Sequence, residues 1–428
     1  MSFRVQDADL AVDYRYTLEK EALAADEDGS VSHQFYFTSD AEDAKEDSGK
    51  QRLILGRSVL AKGGTYLHST GWSSYSPTLR NFLRTHVRYK PTDIVISTFP
   101  KCGTTLTEQV VLLLLNGGDA GALDPLSKNS ANLTGKLGKV WPEACLRSPE
   151  DIERHDGTGP EEFLPKTVEW FDALPEPRVI KTHARVGDLL GRVTSEAEAE
   201  GDTPLVPGAK YVVCTRNPLD ACVSCFHHAW NPAKCGWPFP AWVEAWLRSD
   251  ETSGCGSWMS WHQAWWHLHQ QQQQQAQSQI LWCYYESMLS DPHAEVRRIA
   301  AFLEIDADEA LVARVVEGSS FQSMKAAAVS AASASKRSNT DAHLRSGQSC
   351  KWRSHFYQAA CSADTDADAD AEAGAVGAAG VSPSAEQLGR VQVQEEGDRL
   401  KRLATSAFQQ ALGGSGVQYP IGEGELLE

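Results

Sequence analysis

Lys101-Cys102-Gly103-Thr104-Thr105 lies between a short β-branched run and an aliphatic stretch with helical character. That position suits an anion. A helix start presents N–H groups without intrahelical partners and a partial positive charge. Gly103 lets backbone approach closely, Thr104 and Thr105 add hydroxyls, and Lys101 adds a full charge. The order is not that of a Walker loop, because the lysine precedes the glycine and no G-x-x-x-x-G-K-[ST] occurs. A plain threonine-capped helix would use the same residue types.

Two further groups could complete a site for group transfer. Lys181-Thr182-His183 closes a second apolar run, and the C-terminal end of a parallel strand faces the ligand crevice of an open α/β sheet. A neutral imidazole there can take a proton from a hydroxyl near pH 7; the structural alternative is a histidine with both ring nitrogens satisfied. Arg216 ends a third run and offers a planar fork suited to phosphate. Ser224 follows eight residues later, about two helical turns, so it falls near the same helix face. Pairing of Arg216 with Asp220 is the alternative use of that charge.

The elements that must hold these groups alternate. Residues 93–99, 178–182, 210–215 and 280–285 are short apolar runs that read as buried parallel strands, and 107–115, 218–230 and 292–303 read as helices. The alternation predicts an α/β fold: a parallel β-sheet flanked by helices on both faces, with a P-loop-like phosphate-binding strand–loop–helix. Residues 1–57 form a polar N-terminal arm, expected to be partly disordered. The main domain is expected over 58–361, with low-complexity insertions near 195–207, 270–279 and 326–335. An Ala/Asp linker at 362–385 holds too little apolar surface to offset its folding entropy, and 386–428 reads as a C-terminal helix and tail.

The totals narrow the function. With a formal net charge of −17, nucleic acid is not an expected partner, so any anion must be held in a local positive pocket. The longest aliphatic run, Val110–Leu115, is far short of the roughly 20 residues that span a bilayer, so no membrane association is expected. The N-terminus lacks the apolar core of a signal peptide, which makes the cytoplasm the expected compartment and free thiols the expected state of the ten cysteines. Cys222-x-x-Cys225, with His227, His228 and Cys235 nearby, falls within a predicted helix and has no second CxxC, so no metal is expected.

Taken together and in order, these segments resemble the cytosolic sulfotransferases over about residues 90–356. Phe99-Pro-Lys-Cys-Gly-Thr-Thr-Leu106 is similar to the family's 5'-phosphosulfate loop, P-K-S-G-T-T-W, with Cys102 replacing serine and Leu106 replacing the adenine-stacking tryptophan. Pro177-Arg-Val-Ile-Lys-Thr-His183 resembles P-R-x-x-K-T-H, which implies His183 as the catalytic base and Lys181 as a contact to the transferring group. The segment from Tyr211 to Ser224 resembles the 3'-phosphate site, implying phosphate contacts from Arg216 and Ser224; in relatives the serine also restrains the loop lysine, here Lys101. Residues 344–352 look like R-K-G-x-x-G-x-W: Arg345, Gly347 and Trp352 match, Ser346 replaces a lysine and Cys350 replaces a glycine. Tyr285 matches a tyrosine that reaches adenine, and Phe321 a phenylalanine that packs on it. Residues 255–266 also fit Y-G-S-W-x-x-H-x-x-x-W-W, with Trp261 where the histidine is expected.

The resemblance implies 3'-phosphoadenosine 5'-phosphosulfate (PAPS) as co-substrate, no metal, and a hydroxyl or amine of a small acceptor as the receiving group. Trp230, Trp237, Phe239, Trp242 and Trp246 cluster where an acceptor pocket is expected, which suggests an aromatic or apolar molecule; core packing would use them equally well. Two rival readings stay open: a nucleotide-dependent phosphotransferase, and a non-catalytic nucleotide-binding relative kept in view by Leu106, Ser346 and Cys350. The family's short dimer motif is not found after Phe356, which leaves the oligomeric state open.

Overall fold

The apolar runs become the strands of one parallel sheet. A computed structural model describes residues 77–119, 125–127, 129–130, 136–153, 164–186, 205–228, 257–273 and 278–335, with single positions at 239, 242–243, 246, 344–345, 347, 349, 352, 355 and 402. It also describes strand backbone within 2–65 and 419–427. An antiparallel meander comes first: β1 (Ser2–Asp7), β2 (Val12–Ala25), β3 (Val31–Ala41), β4 (Arg52–Ala61) and β5 (Gly64–Thr65), paired in chain order.

After α1 (Pro77–His86), the main sheet uses β6 (Ile94–Thr98), β7 (Lys139–Val140), β8 (Val179–Thr182), β9 (Lys210–Thr215) and β10 (Ile280–Tyr284). Their order is β10-β9-β6-β8-β7, with every pairing parallel. Helix α2 (Thr104–Leu115) follows β6; α3 (Pro142–Cys145), α4 (Pro149–Glu153) and α5 (Val168–Asp172) lie between β7 and β8 in the chain. Next come α6 (Pro218–Phe226), α7 (Trp258–Gln273), α8 (Tyr285–Ser290), α9 (Pro292–Phe302), α10 (Glu309–Gly318) and α11 (Phe321–Ser335). A short antiparallel pair, β11 (Tyr419–Gly422) and β12 (Glu425–Leu427), stands near the C-terminus.

Strand periodicity explains why both faces are covered. Val95, Ile180, Tyr211 and Val213 point into one core with Trp258, Trp261 and Trp265 of α7. Their neighbours Ile94, Ile96, Val179, Val212 and Cys214 point into the other, with α2, α9 and α10. Side chains alternate along a strand, so a strand buried on both faces must be apolar at nearly every position. Central β6 is buried throughout.

Some boundaries differ from the sequence expectation. Helix α2 starts at Thr104 rather than 107, because the phosphate loop turns directly into it through Gly103 at φ 90°. Helix α6 stops at Phe226 rather than 230. The stretch 326–335 continues α11, and Gln270–Gln273 end α7. The C-terminal linker 362–385 lies outside the described residues. No helix among the described residues is long and apolar enough to cross a membrane.

Candidate active site

The loop after β6 is built to approach something closely. Lys101 adopts φ 66°, a left-handed conformation uncommon outside glycine. A Cβ on Gly103 would lie 2.8 Å from Cδ2 of Tyr285, so only glycine fits between the loop and that ring. Cys102 is fully buried, Thr104 is buried, and Thr105 and Leu106 are partly exposed. As cap residue of α2, Gly103 brings no side-chain acceptor to the helix start. This leaves the dipole end and its N–H groups facing the loop.

The predicted residues on β8 and β9 converge on this loop. The Oγ1 of Thr98, at the end of β6, lies 2.6 Å from Oγ1 of Thr104 and 3.3 Å from Nδ1 of His183. His183 Nδ1 is also 2.8 Å from the Thr98 carbonyl. A carbonyl only accepts, so the neutral ring carries its hydrogen on Nδ1 and keeps its lone pair on Nε2. Burial pushes the imidazole pKa down to about 3, helped by the nearby Lys181 and Lys101 charges, against the opposing pull of the Thr98 carbonyl. His183 is therefore neutral at physiological pH. Trp141 meets its ring edge-to-face at 5.3 Å, and Lys181 Nζ stands 4.0 Å over that same indole.

Arg216 is held from several sides. Its Nη1 donates to the Lys101 carbonyl at 3.2 Å, and its guanidinium lies 4.5 Å over the Tyr285 ring. Asp220 and Glu286 are within electrostatic reach. Asn217 caps α6 by accepting from the N–H groups of Leu219 and Asp220, and its own N–H donates to Glu286 at 2.9 Å. Ser224 is partly exposed on α6. The backbone N–H of Trp352 donates to Asp220 Oδ1 at 2.9 Å, tying the late loop to this helix.

In that late loop, Arg345 is exposed and lies close enough to Arg216 for the two charges to repel. Gly347 sits at φ 62°, and a Cβ there would fall 2.3 Å from the Phe321 ring. Phe321 and Leu106 pack against the same small cluster of Met324, Ala328 and Leu344. Ser346 lies outside the described residues, as do Lys336, Cys350, Lys351, Trp230 and Trp237.

Lys101 gathers these effects. Burial lowers its ammonium pKa to about 8, and Arg216, Lys181 and Arg345 push the same way, with Cys225 opposing. Four cations thus stand near one another beside the loop, with Glu108 near Lys181 and with Asp220 and Glu286 near Arg216. Cys222 and Cys225 are buried in the core of α6, and among the described residues no three His, Cys, Asp or Glu side chains are grouped to hold a metal ion. Phe239, Trp242 and Trp246 are buried too; Trp242 donates to the Cys222 carbonyl, and Trp246 packs edge-on to Phe99.

Sequence reasoning missed Thr98, Trp141, Glu108 and Lys139. A hydroxyl closing a parallel strand was a readable signal for Thr98. The other three stand in no motif. Glu108, on α2, is 1% exposed; it contacts Lys139 of β7 and lies 3.7 Å from Lys181 Nζ.

The loop, the neutral histidine and the four cations thus stand together at the C-terminal ends of the parallel strands. The family model described as sulfotransferase domain matches residues 91–367. The chain belongs to the sulfotransferase family, enzymes that move sulfonate from PAPS to an acceptor. It is 28% identical to mouse (Mus musculus) Sulfotransferase 1B1 over 243 residues, 55% of this chain and 66% of that protein. Against human (Homo sapiens) Sulfotransferase 1C2 it is 26% identical over 282 residues, 62% of this chain and 78% of the relative. The fold is similar to that of retinol dehydratase solved with retinol and PAP: TM-score 0.52, 16% identity, 85% of this chain and 92% of the other.

Proposed function

We propose that this PAPS-dependent sulfotransferase uses His183 as general base, and Lys101 and Lys181 to offset charge on the leaving phosphate and moving sulfonate. The acceptor oxygen or nitrogen forms the new bond to sulfur as the bond from sulfur to the phosphate oxygen breaks. His183 Nε2 takes the acceptor's proton, and the electron pair of the broken bond stays on the phosphate. Charge stabilisation and in-line positioning are what phosphoryl transfer also demands.

Arg216, Ser224 and Arg345 would hold the 3'-phosphate, joined by Ser346 and Gly347 in the late loop. Cys102, Gly103, Thr104 and Thr105 would cradle the 5' end, with Tyr285, Phe321 and Leu106 around the adenine. The observation carrying this reading is the neutral His183, with its Nδ1 at 2.8 Å from the Thr98 carbonyl, beside Lys181 and Lys101.

The acceptor we assign is a small, aromatic or apolar hydroxyl compound or amine, because Trp141 walls the site between His183 and Lys181. Its working place is the cytoplasm, and residues 58–361 form the catalytic unit. The experiment is transfer of label from PAPS, with ATP as control, to a panel of phenols, aliphatic alcohols and amines. Transfer from PAPS to phenols or alcohols is expected; transfer from ATP alone would replace this reading with a phosphotransferase.

A further inference from the structure

Glu108 is a buried carboxylate one turn into the helix whose start forms the anion cradle. Lys139, itself buried, makes a short contact with Glu108 Oε2 and also donates to the Pro125 carbonyl at 2.9 Å. The backbone N–H of Lys139 donates to Ser130 Oγ, and the Ser130 N–H returns to the Lys139 carbonyl. Lys139 is thus fixed by backbone as well as by charge, and it fixes Glu108.

The second oxygen of Glu108 then faces Lys181 at 3.7 Å. That distance is beyond a normal hydrogen bond but well within Coulomb reach. An ion pair at this separation locates the ammonium by charge. Trp141 supports the same ammonium from its other side at 4.0 Å. Lys181 is therefore the more accessible lysine of the pair, 15% exposed against 2% for Lys139.

We propose that Glu108, clamped by Lys139, is a positioning residue that sets Lys181 at the sulfonate end of the site. The inference rests on the functional reading above. Lys139 serves to occupy the first oxygen of Glu108. Without it, a stranded carboxylate closes on Lys181 and competes with the sulfonate.

The test compares kcat, KM for PAPS and the calorimetric affinity for PAP in wild type, Glu108→Gln, Lys139→Gln, the double variant, and Glu108→Gln in a Lys181→Met background. Glu108→Gln is expected to lower kcat roughly 10- to 100-fold, the scale of a misplaced reacting contact. PAP, which lacks the sulfonate, should bind at least as tightly as to wild type. Lys139→Gln should also lower kcat, with little further loss in the double variant, and Glu108→Gln should add nothing once Lys181 is gone. Should Glu108→Gln fail to fold, Glu108→Asp keeps the charge but draws it back, and an intermediate kcat with intact PAP binding is expected. Wild-type kcat in a folded Glu108 variant, a parallel loss of PAP affinity, or full additivity would overturn the assignment. If wild type itself moves nothing from PAPS, the functional reading falls with it; transfer by wild type and Glu108→Gln alike removes Glu108 alone.

Discussion

Strands β6 and β8 carry charge at both ends, and the two ends are treated in opposite ways. Where the strands begin, Arg178 donates from Nε to Asp93 Oδ1 at 2.7 Å and from Nη2 to Oδ2 at 2.5 Å. Its remaining donors reach the Arg88 and Phe171 carbonyls, and its guanidinium covers the Phe171 ring at 4.2 Å. Neither side chain of the pair is exposed. Where the strands end, Lys101, Lys181, Arg216 and Arg345 gather, with Glu108 near Lys181 and with Asp220 and Glu286 near Arg216. One end is internally complete and ties β6 to β8. The other, on the function proposed above, is where the anion binds. The lesson is that charge at one end of a strand pair can serve stability and at the other end chemistry.

Removing a partner at the closed end should have the largest effect. Arg178→Met strands the Asp93 carboxylate, and breaking such a pair costs about 3–5 kcal/mol. Urea unfolding should register that loss, while PAP affinity per folded molecule stays near wild type. A loss below about 1 kcal/mol would mean that this end does not brace the sheet.

At the open end the deficit should appear in binding instead. Arg216→Met removes charge-assisted hydrogen bonds worth about 1.5–3 kcal/mol each, so PAP affinity should fall roughly 10- to 100-fold with only a small change in stability. Unchanged calorimetric affinity would take Arg216 out of the phosphate site.

A smaller effect should follow from pH. Lys101 loses its proton near pH 8 in the free protein, whereas a bound bisphosphate favours the charged form. PAP should therefore bind more weakly as pH rises through 8, by up to about tenfold at pH 9 relative to pH 7, with proton uptake on binding at the higher pH. Titrations in buffers of different ionisation enthalpy read this directly. Lys101→Met should flatten the profile, and a wild-type profile flat to pH 9 would contradict the charge assignment.

This contrast also marks what was legible in the residues alone. The parallel strands were readable because burial on both faces demands continuous β-branched runs, as in Ile94–Thr98 and Lys210–Thr215. The strand–loop–helix around Lys101 to Thr105 was readable because the residues that shape it are consecutive. Glu108, Lys139 and Trp141 were not, since they meet only when β7, α2 and β8 assemble. Residues 326–335 looked like an insertion by composition, yet alanine is the strongest helix former and the stretch extends α11. The pairing of Gly347 with Phe321 depends on a loop closing across about 25 residues, which no local pattern encodes.

His183, the proposed base, gives the most direct trial of the open end. Single-turnover transfer from PAPS should be measured in His183→Ala beside a calorimetric titration with PAP. Loss of a general base predicts a rate roughly 10²- to 10⁴-fold below wild type, with PAP affinity nearly unchanged. A variant that transfers at the wild-type rate would show that the imidazole beside Lys181 and Thr98 does not take the acceptor's proton.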